Sequence, residues 1–351
     1  MNIIYSIASE GMGHTIRSSV VIEHLIKSGH NVHIISACKP AKFLAKKFDH
    51  VLKITGMVIK YKDNKVSKLD TIITNAKSIA KLGKNIKLLS KLFKNFNPDL
   101  VITDFESAGH AFAKLHDVPV ISIDNIQAIN RCELDMVIKT NSYRIAKPIV
   151  QARSPKCNEY LITAFANYLP KKKNTGMFHP IIRPEVLAQK DNVTNGKHIL
   201  IYQTASEATT KALNTELQVR GIKAYIYGAD KGLKSFGNIV YKEFSEEEFI
   251  KDMISAKAVI SGGSFTVMSE CIYLGKPMLS IPIVGQFEQE MNGYYLEKMG
   301  YGKYCKLFKP EILTAFLSNI DFYKDNLKDY QHDDNVGLFT YLDNLIANIG
   351  A

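Results

Sequence analysis

Three stretches of this 351-residue sequence join chemically useful side chains to glycines that open the backbone. The most specific reads Ser261-Gly262-Gly263-Ser264-Phe265-Thr266-Val267-Met268-Ser269-Glu270, after a short apolar run and at the start of a helix-patterned segment. A glycine turn there presents backbone N–H groups from Ser264 to Thr266 at a helix N-terminus, where aligned peptide dipoles favour an anion such as a diphosphate. Glu270 falls about one turn into that helix, and a carboxylate can accept hydrogen bonds from both hydroxyls of a ribose. A plain strand–turn–helix junction would leave Glu270 without a purpose.

The second stretch is Gly11-Met12-Gly13-His14, followed by Arg17. Its glycines allow close backbone approach to a ligand. It lacks the third glycine of a dinucleotide fingerprint, and Ser36-Ala37-Cys38 stands where that fingerprint needs an acid, so nicotinamide binding is disfavoured. Asp104, in Leu100-Val101-Ile102-Thr103-Asp104-Phe105-Glu106, ends a later apolar run. A carboxylate beside an imidazole fixes its tautomer and suits it to general-base work. Glu106 is a substitute for that acid; the bland readings are a helix-start histidine and a helix-capping aspartate. The third stretch, Gly275-Lys276-Pro277 and Gly285 to Asn292, places Glu288 and Asn292 on one helix face beside Gln289, a mixture of acceptors and amides that suits sugar hydroxyls.

These residues need an α/β frame. Asn2–Ser9 reads as a strand, Thr15–Lys27 as an amphipathic helix and Val32–Ser36 as a second strand, which makes a βαβ unit. Leu100–Thr103 and Val120–Asp124 read as buried parallel strands with a helix between them. Prolines, glycines and charges interrupt the pattern over Leu169–Gly196, the expected linker. Strand–helix alternation then resumes from His198 to Ile283. The expected architecture is two Rossmann-like, doubly wound domains, 1–178 and 179–324, with a C-terminal helix over about 325–351 packing on the first. Ligands of open parallel sheets bind beyond the carboxyl ends of the strands, where His14, Asp104 and the Gly263 turn all fall.

Composition narrows the function. With 46% hydrophobic and 23% charged residues the chain is ordinary globular protein. Five scattered cysteines fit neither the common zinc spacings nor a disulfide framework. No apolar run approaches membrane-spanning length, and the N-terminus lacks the basic region of a signal peptide, so a cytoplasmic location is expected. Between Lys42 and Lys94 stand fourteen lysines and three acids, an excess equal to the chain's whole net charge of +11. That segment suits an anionic acceptor or the inner face of a membrane. Aromatic residues are thin in it, so nucleic acid is not an expected partner.

The motifs EGMGHTIRS, TDFES, GGSFTVMSE, GKP and GQFEQEMN together resemble the inverting GT-B glycosyltransferases, over roughly Met1 to Gly302. They are most similar to the bacterial and archaeal group related to the lipid-linked GlcNAc transferase of peptidoglycan synthesis and to the UDP-glycosyltransferases. The resemblance implies two domains facing across a cleft and transfer of a hexosyl or N-acetylhexosaminyl group to a glycan, lipid-linked or other anionic cell-envelope acceptor. It implies His14 as catalytic base and Asp104 as the acid that orients it. For the donor it implies Gly13, Phe244 beside the base, Gly263, Ser264, Phe265 and Thr266 at the diphosphate, Glu270 at the ribose, and Glu288 and Gln289 at the sugar. Arg17, Glu106 and Asn292 are assigned to acceptor or phosphate contacts. Ser264 stands where many relatives have glycine, and Gly262 where some have a His or Arg on the diphosphate; Arg17 or a lysine would supply that charge. The expected donor is a UDP-sugar used without metal or other cofactor, the leaving diphosphate being stabilised by helix N-terminal amides. Two rival readings are a nucleotide-sugar epimerase of the same fold and a nucleic-acid-binding protein.

Overall fold

The structure, a computed structural model, describes residues 1–56, 61–62, 65–66, 82–135, 140–202, 207–228 and 235–350. The chain divides into two compact units, the first formed by 1–61, 67–181 and 333–351, the second by 62–66 and 182–332.

The first unit is built on a seven-stranded parallel sheet: β1 (Asn2–Ile7), β2 (Asn31–Ser36), β3 (Val51–Lys53), β4 (Leu100–Asp104), β5 (Val120–Asp124), β6 (Glu159–Thr163) and β7 (Thr175–Phe178), in the order β7-β6-β5-β4-β1-β2-β3. The strand order reverses between β1 and β4, which lie side by side with Ile7 opposite Asp104. Strands with both faces covered must be apolar almost throughout, and β4 and β5 are buried at every position. Helix α1 (Met12–Lys27) follows β1, and α2 (Ser107–Leu115) follows β4. The sequence pattern starts the first helix at Thr15, whereas α1 starts at Met12. Gly11, at φ 82°, turns the chain so sharply that Gly13 and His14 already lie in the first helical turn. Helix α3 (Asn141–Arg153) precedes β6.

The second unit repeats the plan with a six-stranded sheet: β8 (His198–Tyr202), β9 (Lys223–Tyr227), β10 (Ile239–Tyr241), β11 (Ala258–Ser261), β12 (Met278–Ser280) and β13 (Gly302–Tyr304), in the order β10-β9-β8-β11-β12-β13. Every strand pair in both sheets is parallel. Three helices position side chains used below: α4 (Glu246–Ser255), α5 (Phe265–Tyr273) and α6 (Phe287–Lys298). Helix α5 is buried along its whole length, so any charge on it needs an internal partner.

Two segments differ from the sequence pattern. Part of the expected linker, Thr175–Phe178, is the edge strand β7, pairing with β6 from Thr175 opposite Tyr160 to Phe178 opposite Thr163. The tail divides: Pro310–Ser318 and Ile320–Lys328 are helices of the second unit, and α7 (Val336–Gly350) belongs to the first. Leu338, Leu342 and Ile346 recur every four residues, share one face of α7, and enter the core formed by Ile3, Val21 and Leu25.

Candidate active site

In the first unit the turn after β1 and the end of β4 bring His14 and Asp104 together. His14 Nδ1 donates to Asp104 Oδ1 at 2.7 Å. Arg17, one turn further along α1, donates from Nε to Oδ2 at 2.7 Å and from Nη2 to Oδ1 at 2.6 Å. Ser18 Oγ adds a bond to Oδ2 at 3.0 Å. Asp104 therefore accepts four hydrogen bonds, its full capacity. Burial works against its charge, but the Arg17 guanidinium and the His14 imidazole outweigh it and hold the carboxyl well below the usual carboxylate range. His14 Nδ1 also lies 2.7 Å from Arg17 Nη2, itself a donor; with the Nδ1 proton directed at the ionised, acceptor-only Asp104, the lone pair is left on Nε2. His14 is 7% exposed, and its ring lies nearly parallel to that of Phe105, with centroids 6.4 Å apart.

Phe105 has φ 57°, a left-handed conformation that costs a bulky side chain about 1–2 kcal/mol. Arg153 secures it, donating from Nη1 to the Phe105 carbonyl at 3.1 Å and to Glu10 Oε2 at 2.8 Å, with its guanidinium 4.6 Å from the ring centroid. Glu106, not Asp104, caps the following helix: it accepts from Gly109 N at 2.8 Å and from Ser6 Oγ at 2.5 Å. It also lines a shallow pocket with Ala8, Ser9, Ala37, Gly56 and Arg153.

The acid that ends the next strand also belongs here. Asp124 accepts from Gln127 N at 2.7 Å and Ser122 Oγ at 2.8 Å. Burial, then the charge of Asp104, push its carboxyl up to about 6. Its neighbour Asn125 accepts from Arg17 Nη1 at 2.6 Å. Arg17 thus spans Asp104 and Asn125 and is 3% exposed. In this structure the guanidinium expected at an acceptor or phosphate faces inward and neutralises the acid behind the histidine.

In the second unit Gly263 forms the turn between β11 and α5 at φ 91°. A Cβ there would lie 2.9 Å from Gln289 O and 3.2 Å from Ser280 Oγ, so only glycine fits. Ser264 occupies the N-cap of α5 and its side chain makes no capping bond; Phe265 and Thr266, both buried, form the first turn. Asn292, on α6, donates from Nδ2 to the Gly263 carbonyl at 3.1 Å and is 1% exposed. In this structure it braces the turn. Gln289 Oε1 accepts from Ile283 N at 3.0 Å, and Glu288 and Gln289 are half-buried at the start of α6. Phe244 is 51% exposed and rests on Phe249 at 5.8 Å between centroids.

Glu270, expected at the ribose, lies inside the second unit. It has no exposed surface, and Arg183 grips both its oxygens, Nε to Oε1 at 2.7 Å and Nη2 to Oε2 at 2.8 Å. Arg183 Nη1 extends to Glu246 Oε1 at 3.0 Å. In this structure the carboxylate is an internal ion-pair member and not an open ribose ligand. A carboxylate on a helix buried on all sides must find a cation, and that requirement is the one sequence signal for Arg183, which stands in the Pro-flanked part of the expected linker.

Among the described residues no group of three or more His, Cys, Asp or Glu side chains could hold a metal ion, and no helix is long and apolar enough to cross a membrane.

Comparison with known proteins bears on this geometry. The family model for glycosyl transferase family 1 matches residues 1–321. An uncharacterized glycosyltransferase of Methanosarcina acetivorans is 26% identical over 340 residues, covering 88% of this chain and 87% of the relative. One from Methanosarcina mazei is 25% identical, covering 94% and 93%. Among solved structures, Phytolacca americana UGT2 complexed with UDP-2fluoro-glucose and pterostilbene superposes with a TM-score of 0.68 at 13% identity, covering 99% of this chain and 98% of that one. The calicheamicin glycosyltransferase CalG4 gives 0.67 at 12% identity, with the same coverage. The fold is that of the GT-B glycosyltransferases.

Proposed function

Because the chain belongs to glycosyl transferase family 1, we propose that it moves a hexosyl or N-acetylhexosaminyl group from a UDP-sugar to the hydroxyl of an acceptor, by one displacement with inversion. Its glycosyltransferase class rests on the family; the mechanism rests chiefly on one observation, the His14–Asp104 pair, with all four acceptor sites of the acid filled. An imidazole whose Nδ1 proton is fixed by a permanent anion presents Nε2 as base, and its ring cannot flip without breaking that bond. Nε2 takes the proton of the acceptor hydroxyl as the oxygen attacks the anomeric carbon, and the diphosphate leaves with the electron pair of the broken glycosidic bond.

The turn from Gly263 to Thr266 is the proposed diphosphate cradle, where first-turn amides of α5 stabilise the charge that develops on the leaving group. No metal has a part in this reading. Phe244, exposed on an aromatic cluster, would support the base, and Glu288 and Gln289 the sugar hydroxyls. Glu270 acts indirectly: its ion pair with Arg183 fixes α5 and so the direction of the cradle.

The acceptor is proposed to be lipid-linked or otherwise anionic, and the enzyme to work in the cytoplasm at the membrane face. What supports this is the helical stretch 82–92, where Lys84, Lys87 and Lys91 are exposed beside Leu88 at 40% and Leu92 at 48%. Cations around an apolar strip suit an anionic interface. Lys60, Lys68, Lys77 and Lys81 of the same basic segment lie outside the described residues.

The test is the anomeric configuration of the first-formed product by NMR, with UDP-sugar and a lipid-linked acceptor. Inversion is expected. A retained configuration, or an epimerised donor formed without acceptor, would overturn the mechanism.

A further inference from the structure

Strands β11, β12 and β13 place Ser261 opposite Ser280 and Ser280 opposite Tyr304. Paired residues of neighbouring parallel strands project to the same face, so the three form one rung of hydroxyls. Ser261 and Ser280 are 3% and 0% exposed. Ser261 Oγ, Ser280 Oγ, Tyr304 OH and Asn292 Oδ1 are all buried without a hydrogen-bond partner among the described residues. Ser280 is their common neighbour. Cβ positions built on Gly263 and Gly293 lie 3.2 and 3.0 Å from Ser280 Oγ, and the Gly293 position also lies 2.6 Å from Tyr304 Cδ2. Asn292 reaches the same turn through its bond to the Gly263 carbonyl.

Four such groups left without partners would cost roughly 1–3 kcal/mol each, comparable with the whole stability of a domain. None of the four is hydrogen-bonded to another.

We propose that this rung binds a buried water molecule that ties β11, β12 and β13 to Asn292 and to the Gly263 turn. Water matches the set atom for atom. It donates to Asn292 Oδ1, which can only accept, and to one hydroxyl, and it accepts from the other two. A cation would satisfy the oxygen lone pairs but leave three O–H donors unmet. Burial, then the charge of Glu290, raise the Tyr304 phenol well above its ordinary value, so it stays a donor at every relevant pH. The inference does not depend on the donor reading: the water belongs to the folded protein whatever ligand the turn holds.

A crystal structure of the full chain at about 1.8 Å tests it. The expected result is a single peak about 2.6–3.2 Å from Ser280 Oγ and from at least two of the other three atoms. A thermal double-mutant cycle is the second measurement. Ser280→Ala and Tyr304→Phe should each lower Tm, and the double variant should lower it by less than the sum, because the first change already releases the shared water. Direct hydrogen bonds among the four groups, a peak with oxygen contacts near 2.4 Å as for a cation, no peak where other buried waters are visible, or strictly additive Tm shifts would each overturn it.

Discussion

His14 and Asp104 were legible in the sequence because each ends or follows an apolar run of one sheet, and position along a parallel strand fixes which edge a residue occupies. Arg17 was visible as a residue but not in its role: three positions after His14 it shares that residue's helix face, and only the fold shows that this face meets Asp104. Two predictions belong at this scale. His14→Ala should lower kcat about 10²–10⁴-fold with the UDP-sugar dissociation constant unchanged; equal losses in turnover and donor affinity would place His14 in binding instead. Asp124 makes stability depend on pH. Its folded value of about 6 lies above the unfolded value of 3.8, so the folded state binds the proton more tightly. The resulting stability is full below about pH 4 and is lost as pH rises through 6, by an amount on the order of 3 kcal/mol. Asp124→Asn still accepts from Gln127 N through its amide oxygen, while its amide N–H donates to Ser122 Oγ, and it should remove that slope from denaturant melts recorded between pH 4 and 7.

Secondary structure was read mainly from hydrophobic runs, and it failed where backbone conformation or tertiary pairing decided. Gly11 starts α1 three residues before its apolar stripe begins, and β7 forms at a sheet edge from a segment with no strand-like alternation. The sequence pattern places helix α5 but not its burial on every side, and for that reason the ion pair of Glu270 with Arg183 is not legible in it. The Arg183–Glu270 pair predicts a sign pattern. Arg183→Met leaves a buried carboxylate unpaired and should destabilise the second unit by about 3–5 kcal/mol. Adding Glu270→Leu should recover most of that loss in a thermal melt, since an apolar pair of similar volume removes the stranded charge. Additive losses would show that the pair is not the stabilising contact described. Position 263 makes a separate prediction: Gly263→Ala forces φ 91° on a Cβ that lies 2.9 Å from a backbone oxygen, which should distort the turn and weaken nucleotide binding more than it lowers Tm.

At the scale of the whole molecule the strand order repeats: in both units it runs outward on each side from the first strand and reverses beside it. Alternating runs announced two such sheets, and the third segment of the first unit, 333–351, is held there by the apolar face of α7. The charge asymmetry is a property of the chain rather than of any one site, since the Lys42–Lys94 segment carries an excess equal to the net +11. Replacing Lys84, Lys87 and Lys91 together by Glu should raise KM for an anionic acceptor at low salt and leave donor affinity alone, with the difference shrinking as salt screens it. Acceptor kinetics unchanged at low ionic strength would remove the anionic-acceptor proposal while leaving the donor site standing. The measurement closest to the central claim is the dissociation constant for a panel of UDP-sugars, taken on the wild-type protein, on His14→Ala and on Gly263→Ala. Saturable binding at one site is expected, equal in the first two and roughly tenfold or more weaker in the third, a loss of at least about 1.4 kcal/mol. Binding by no UDP-sugar, or undiminished binding by folded Gly263→Ala, would contradict it.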